Sequence, residues 1–232
     1  MKRKIFISIL IILICAISIF LARRQDSHIE DAILTDITLN DELFNVINVL
    51  CLDHHIPIAI EIDYATYHPS EKIRYSAKET TVRELLNTIV PKEEFVWKVD
   101  GDFIHIISKT LLSRSDYQLN MQIKSFYAAD IERDVLIKRA LDQASIHDVP
   151  EPIAFTGLPY AKLSKSFRVN LVLPKISIDL KNVTLREVLD QISKKSGVSY
   201  CVLRNRKSDG SYMQGLIIFE NLPIGLSGIP GK

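Results

Sequence analysis

Two small groups of ionisable residues have types and spacings that metal binding or acid–base catalysis uses. His54 and His55 are adjacent, and Asp100 and Asp102 flank Gly101. Imidazoles bind zinc, and paired carboxylates act as metal ligands or as catalytic dyads. Adjacent residues on a helix point about 100° apart, however, so the two histidines do not converge on one ion. The Asp-Gly-Asp run is typical of a tight hairpin turn, and we predict a turn there.

The other residues with chemical potential lie in regular strand patterns. His105 alternates with Ile104 and Ile106, which predicts a position on the polar face of a strand. Trp97 and Tyr200 fall on inward-facing positions of two similar strands, where we predict packing in the core. A ligand-stacking pair is the alternative.

Cysteines and known catalytic motifs give no site. Cys15 lies in an apolar run, whereas Cys51 and Cys201 have apolar neighbours that predict two buried thiols. A Cys51–Cys201 disulfide is the alternative in an exported chain. The sequence has no CxxC, GxSxG, HExxH, phosphate-cradling glycine loop or EF-hand loop. We therefore predict no catalytic, cofactor-binding or metal-binding residues, and a protein that is not an enzyme.

The overall composition is that of a folded globular protein. The chain has 232 residues with a net charge of +1, and its Lys/Arg and Asp/Glu residues are mixed throughout. Nucleic-acid binding needs clustered basic residues, so no nucleic-acid partner is expected.

The first 25 residues predict a signal anchor or a signal peptide. Lys2, Arg3 and Lys4 precede the apolar run 5–22, which an arginine pair closes. The run is long enough to span a membrane. We predict a single-pass anchor in the cytoplasmic membrane, with the rest of the chain in the periplasm or outside. Cleavage after Ser18 or Ala22 would instead give a periplasmic or secreted protein; lipoprotein processing at Cys15 and a buried core helix are further alternatives.

The elements that position these residues follow from residues 29–109. Thr81 and Glu84 have the spacing of a capping box, which starts a helix. That helix is followed by an alternating strand, the Asp100-Gly101 turn and the returning strand DFIHIIS. Upstream we predict a strand at 72–78, a helix with Asn40 as N-cap, and the strand PIAIEID after it. The predicted inward-facing residues are Leu43, Val46, Ile47, Leu50, Ile58, Ile60, Ile62, Ile73, Tyr75, Ala77, Val82, Leu85, Leu86, Ile89, Phe95, Trp97 and Val99.

The same pattern recurs in residues 118–222. TVRELLNTIVPKEEFVWKV at 81–99 aligns without a gap to TLREVLDQISKKSGVSYCV at 184–202. Such a repeat predicts duplication of one supersecondary unit. Further predicted elements are a strand in LNMQIKSF, a helix over 130–145 with Ile131, Val135, Ile137 or Lys138, and Leu141 on its face, a strand at 167–173, a turn at Asp209-Gly210 and the strand YMQGLIIFE. The predicted inward-facing residues around the repeat are Ile176, Ile178, Leu180, Leu185, Val188, Leu189, Ile192, Val198, Tyr200 and Val202, with Thr184 and Glu187 as the second capping box.

The predicted fold is α+β, with tandem small modules behind an N-terminal apolar helix. Each module is β-α-β-β-α-β-β, with two helices packed on small sheets. The predicted boundaries are 29–109 for the first module, 110–117 for a linker, 118–222 for a second, divergent module with an insertion at 147–166, and 223–232 for a flexible tail.

These elements resemble the short N-terminal domain shared by secretins and TonB-dependent receptors. TVRELLNTIV is similar to that family's apolar tL.eaL..ll helix, and FVWKVDGDFIHIIS to its strand, turn and strand ending in i.I. The resemblance covers 37–108 and 175–220, and loosely 116–167; we expect no secretin pore or outer-membrane barrel after it. It implies a compact docking module without catalytic residues, which handles secretion substrates, ring subunits or a signalling partner in the periplasm.

The function predicted from the sequence is that of a membrane-tethered adaptor in an envelope secretion, transport or signalling assembly. Its partner is a protein of the cell envelope, a second copy of the chain included, and no small-molecule substrate is expected. Phe155 and Tyr160 in the insertion are the candidate partner-binding residues, because the insertion exceeds what the repeat needs for folding. A packed surface loop is the alternative there. For the whole protein, an exported enzyme or ligand binder with a site between the modules and a self-assembling structural subunit are the alternatives.

Overall fold

The computed structural model describes residues 28–68, 72–143, 153–155, 175–206 and 212–220. The α-helices within them are α1 (Leu43–Leu52), α2 (Val82–Ile89), α3 (Lys109–Leu112), α4 (Arg133–Gln143) and α5 (Leu185–Ser196). The strands are β1 (Ile33–Asp41), β2 (Ile58–Asp63), β3 (Ile73–Thr81), β4 (Phe95–Asp100), β5 (Phe103–Ser108), β6 (Gln122–Glu132), β7 (Ile153–Phe155), β8 (Lys175–Thr184), β9 (Val198–Arg206) and β10 (Tyr212–Glu220). The predicted α+β class is confirmed.

Several predicted features lie outside the described residues: the apolar run 5–22, most of the insertion 147–166 with Tyr160, the strand at 167–173, the Asp209-Gly210 turn and the tail. Within the described ranges, no helix is both long enough and apolar enough to cross a membrane.

Three sheets organise the described residues. Two are antiparallel pairs, β1–β3 and β6–β8, and the third has six strands in the order β4-β5-β2-β9-β10-β7. In the large sheet β2 runs parallel to β5 and also to β9. A strand of the first segment (29–109) therefore pairs directly with a strand of the second segment (118–220). We call this contact the junction.

The two faces of the six-stranded sheet are covered by different helices. Ile58, Ile60 and Ile62 of β2 belong to one core, together with residues of α1, α2 and β1. Ala59, between them, belongs to a second core with residues of α4, α5, β6 and β8. Successive strand residues point to opposite faces. All of β2 and β5 is consequently buried, which is typical of parallel strands that have helices on both sides.

The two capping boxes are present as predicted. The Thr81 side chain accepts the Glu84 N–H, and the Glu84 carboxylate accepts the Thr81 N–H. Thr184 and Glu187 form the same reciprocal pair at the start of α5. Each box satisfies backbone donors that the first turn of a helix leaves free. The predicted apolar faces of α2 and α5 are buried, which confirms them.

The prediction that Asn40 caps α1 is wrong. Asn40 lies in β1, paired opposite Arg74, and the helix begins at Leu43. Asp41 bonds instead to the Glu42 N–H and the Asn45 amide. The predicted apolar face of α1 is nevertheless buried, because three-residue and four-residue spacings survive a shift of the first residue.

The predicted helix over 130–145 also begins too early. β6 continues to Glu132, and its pairing with β8 shifts register between Ala128 and Ile131. Asp130 has a φ of 55° inside the strand, which lies outside the right-handed helical region, so an α-helix cannot include this residue. The helix α4 begins at Arg133 and buries Leu136, Ile137, Ala140 and Leu141, whereas Val135 is exposed.

The predicted linker 110–117 is packed against the body of the protein. It includes most of α3, and its Leu111 and Tyr117 side chains are buried in the second core. The two segments are therefore joined by an ordered connection as well as by the β2–β9 pairing.

Candidate functional site at the junction

Most of the sequence-predicted residues lie apart from one another. Asp100 ends β4 and Gly101 has a φ of 62°, so the predicted turn is confirmed. His55 is exposed beyond the end of α1. Within the described residues no group of three or more His, Cys, Asp or Glu side chains is placed to hold a metal ion.

The prediction that His105 lies on the polar face of its strand is wrong. His105 is only 1% exposed, because β5 lies inside the six-stranded sheet with helices on both sides. Its side chain faces α5 of the second segment, where Nε2 lies 3.6 Å from Asp190 Oδ2. His105 therefore belongs to the junction.

Glu61 and Arg186 form an ion pair across the junction. Glu61 lies on β2 and is fully buried, and Arg186 lies in the first turn of α5. The guanidinium Nη2 donates to Glu61 Oε2 at 2.9 Å, and Nε donates to Oε1, so the pair is bidentate. The Tyr117 ring lies 5.9 Å from the guanidinium carbon. Burial alone lowers the pKa of Arg186, but the hydrogen bonds and the charge of Glu61 outweigh it and raise this pKa.

A second buried ion pair lies two residues further along β2. Both carboxylate oxygens of Asp63 lie 3.1 Å from Nη1 of Arg204 on β9. Thr110 donates to Asp63 Oδ2 at 3.1 Å, and the Ala65 N–H donates to Oδ1 at 3.2 Å. Asp63 is thus held by groups from both segments and from the connection between them.

The third contact joins His105, Asp190 and Tyr200. The Tyr200 hydroxyl donates to Asp190 Oδ1 at 2.7 Å. Burial raises the pKa of Asp190 to about 7; the Tyr200 hydrogen bond opposes this, and the charge of Glu61 adds to it. Burial, with the nearby Lys98 and Lys194 charges, lowers the pKa of His105 to about 4. Both shifts favour the uncharged forms, which cost least to bury.

A small cavity lies at the edge of this cluster. It has a volume of about 250 Å³ and lies between the Asp100–Phe103 turn and the C-terminal part of α5. Lys194 at its wall donates to Asp100 at 2.6 Å, a hydrogen bond that lowers the pKa of Asp100. His105, Asp190 and Glu61 do not line it. The groups with strongly shifted pKa therefore face one another and not the cavity.

The junction residues could not be found from the sequence. Glu61 and Arg186 are separated by 125 positions, and an acid in an alternating strand predicts a solvent-facing side chain. The available signal was the first-turn arginine of both capping boxes, Arg83 and Arg186. Arg83, by contrast, pairs with Glu30 at 2.9 Å and with Asp31, and it is about half exposed.

The outer edge of the six-stranded sheet is the second candidate site. Within the described residues β4 pairs with β5 alone. The N–H of Ile104, in β5, donates to the Pro57 carbonyl, which lies on the side of β5 opposite to β4. Val99 is the β4 residue opposite Ile104, so its backbone groups point to the outer edge. Phe155, the predicted partner-binding residue, lies at the other end of the sheet in β7, paired with Phe219 of β10.

Comparisons with known proteins add no relative. No protein-family model, curated protein or solved structure matches this chain.

Proposed function

We propose that the chain is a protein-binding adaptor made of two tandem copies of one module, and that it acts by docking a partner polypeptide and not by catalysis. The recurrence of the capping boxes and of the strand pairings supports the duplication. A further recurrence is PIAI at 57–60, which supplies the first residues of β2, and PIAF at 152–155, which supplies the three residues of β7.

One observation carries the docking function. At the junction Arg186 bonds to Glu61 and Tyr200 bonds to Asp190, while the outer side of β4 has no strand partner among the described residues. An exposed sheet edge is a ready acceptor for an added strand, because its N–H and C=O groups can continue the ladder. The Val96 side chain on this edge strand is 38% exposed, which leaves apolar surface for a partner to cover.

The cell envelope is the proposed location. The basic flank and the apolar run at 5–22 support a single-pass anchor with the modules in the periplasm or outside. The resemblance to the short domain of secretins and TonB-dependent receptors supports a secretion, transport or signalling assembly. Phe155 and Tyr160 remain the proposed partner-binding side chains of the insertion.

Site-specific photo-crosslinking in the producing cells tests this function. A photoreactive residue replaces Val96 in the full chain, and a matched control replaces Asp179, an exposed residue of β8. We expect a discrete crosslinked protein with the probe at 96 and none at 179. Absence of any product at 96, or equal products at both positions, would contradict docking at β4. Loss of the product in Phe155→Ser and Tyr160→Ser would assign these side chains to the same partner.

A further inference from the structure

The two segments contact each other through a strand pairing. The strands at the two ends of the same sheet correspond in sequence to the two strands of that pairing. β2 uses its outer side to pair in parallel with β9, the strand that corresponds to β4 in the gapless repeat. Among the described residues the ends of the six-stranded sheet are β4 and β7, and β7 is the IAF of the PIAF sequence, which corresponds to the PIAI that begins β2. Each chain thus carries a strand like β9 at one end of the sheet, which is β4, and a strand like β2 at the other end, which is β7.

The strand directions fix how the second segment is related to the first. Along the sheet, β4 runs down, β5 and β2 run up, β9 runs up, and β10 and β7 run down. The second segment therefore has the strand order of the first with every direction reversed, and its helices lie on the opposite face. A half-turn about an axis along the sheet, combined with a shift along that axis, produces both reversals.

Applying the same operation once more places a third unit beside β7. Its β4-type strand would run down, parallel to β7, and its helices would lie on the face that α1 and α2 cover. This is the orientation of the first segment of another chain.

We propose that a second copy of this chain docks head to tail, with its β4 pairing in parallel with β7 of the first copy as β9 pairs with β2. The proposal rests on the proposed docking function and names its partner. A head-to-tail contact of this kind is heterologous and leaves a free edge at each end of every assembly. Since strands twist in one direction, repeated addition gives an open, twisted row of chains and not a closed ring.

The chemistry of the two edges is compatible with this pairing. β7 consists of Ile153, Ala154 and Phe155, all uncharged. On β4 the positions that correspond to Tyr200 and Cys201 are Trp97 and Lys98, so a lone lysine is the only cation brought against β7. No like charges meet at the new ladder, and the exposed Val96 side chain gains a neighbouring strand.

Disulfide trapping between two populations of the full chain tests the proposal. In β2–β9 Ile60 is the partner of Cys201, which predicts that Phe155 of one chain lies opposite Lys98 of the next. One population carries Lys98→Cys and the other Phe155→Cys, with Ala154→Cys in a parallel sample for the adjacent register, all in a Cys15→Ser background and in mild detergent. Neighbouring strands lie about 4.8 Å apart, within the Cα separation that a disulfide spans.

We expect a disulfide-linked heterodimer whose yield exceeds by about tenfold that of a control with Asp179→Cys in place of Lys98→Cys. Val99→Pro removes a donor from the outer edge without touching the β4–β5 ladder, and it should abolish the product while circular dichroism stays unchanged. No heterodimer at any protein concentration, or equal yields with the control, would overturn self-association. A photo-crosslink from Val96 to a different protein, without this heterodimer, would also overturn it and would leave the docking function standing.

Discussion

Glu61 on β2 and Arg186 on α5 form a bidentate ion pair in which the carboxylate is fully buried and comes from one segment, while the guanidinium comes from the other. Two buried charges are costly to separate, because the remaining partner keeps its desolvation cost without its counter-charge. Removal of either partner alone should therefore weaken the packing of α5 against β2.

Arg186→Met should lower the free energy of unfolding by ~3–5 kcal/mol, because it leaves Glu61 buried and unpaired. The measurement is urea unfolding followed by fluorescence of the single tryptophan, Trp97. Arg83→Met is the matched control: Arg83 holds the same position after a capping threonine but is half exposed, so we expect ~0–1 kcal/mol. The double variant Glu61→Met with Arg186→Met should recover much of the loss. Equal effects of Arg83→Met and Arg186→Met would contradict the assignment.

Asp190 and His105 should give the stability of the protein opposite pH dependences. The pKa of Asp190 is raised from 3.8 to about 7, and that of His105 is lowered from 6.5 to about 4. Between these values the folded protein binds more protons at Asp190, and fewer at His105, than the unfolded chain. The Asp190 contribution to stability is therefore present at low pH and lost as the pH rises toward 7. The His105 contribution is present above pH 6.5 and lost as the pH falls toward 4.

Single variants should separate the two pH dependences of the free energy of unfolding. Relative to the unsubstituted chain, the free energy of unfolding of Asp190→Asn should rise between pH 4 and pH 7, because the falling contribution of Asp190 is removed. That of His105→Gln should fall between pH 4 and pH 6.5, because the rising contribution of His105 is removed. The measurement is a series of urea curves at constant ionic strength. Parallel pH profiles for all three proteins would show that neither group titrates differently on folding.

The two capping boxes should contribute equally to stability. Thr81→Ala removes the hydrogen bond from the Glu84 N–H, and Thr184→Ala removes the bond from the Glu187 N–H together with the bond that the Thr184 hydroxyl donates to the Glu187 carboxylate. We expect a loss of ~1 kcal/mol from each in the same urea assay. Thr88→Ala is the control, since Thr88 bonds only to the carbonyl of Glu84 within the same helix; a change within about 0.5 kcal/mol is expected. A loss at Thr184 no greater than at Thr88 would argue against the second box.

Cys51 and Cys201 should be unreactive thiols in the folded protein. Both are free and fully buried, and burial raises the pKa of Cys51 to about 12 and that of Cys201 well above its usual value. In a Cys15→Ser background a thiol reagent should label neither until urea unfolds the chain, whereas Lys98→Cys should react at once. Rapid labelling of the native protein, or a Cys51–Cys201 disulfide by mass spectrometry, would contradict this.

The features that the sequence predicts correctly are those that depend on residues close together along the chain. Capping boxes and the apolar faces of α2 and α5 depend on residues three or four apart, so Thr81, Glu84 and their counterparts could be placed correctly. Asn40 and Asp130 were misplaced because strand pairing, and not local propensity, carries β1 and β6 further along the chain.

The candidate site could not be predicted because it depends on which strands become neighbours. His105 was assigned to a polar face on its alternation with isoleucines, and that alternation is present. The face that carries His105 is nevertheless apolar and covered by α5, since β5 and β2 lie inside one sheet shared by both segments. Nothing in the residues near Glu61 indicates that its counter-ion is Arg186.

The β2–β9 pairing also constrains the order of events during synthesis. β2 leaves the ribosome long before β9, because their contacts join residues 141 positions apart. Until β9 is made, the completed first segment carries an unpaired outer edge on β2, the kind of edge from which misassembly of nascent chains starts. Folding of residues 29–109 before β9 is made would therefore expose this edge to misassembly. Folding after residue 206 has emerged would let β9 cover the edge at once.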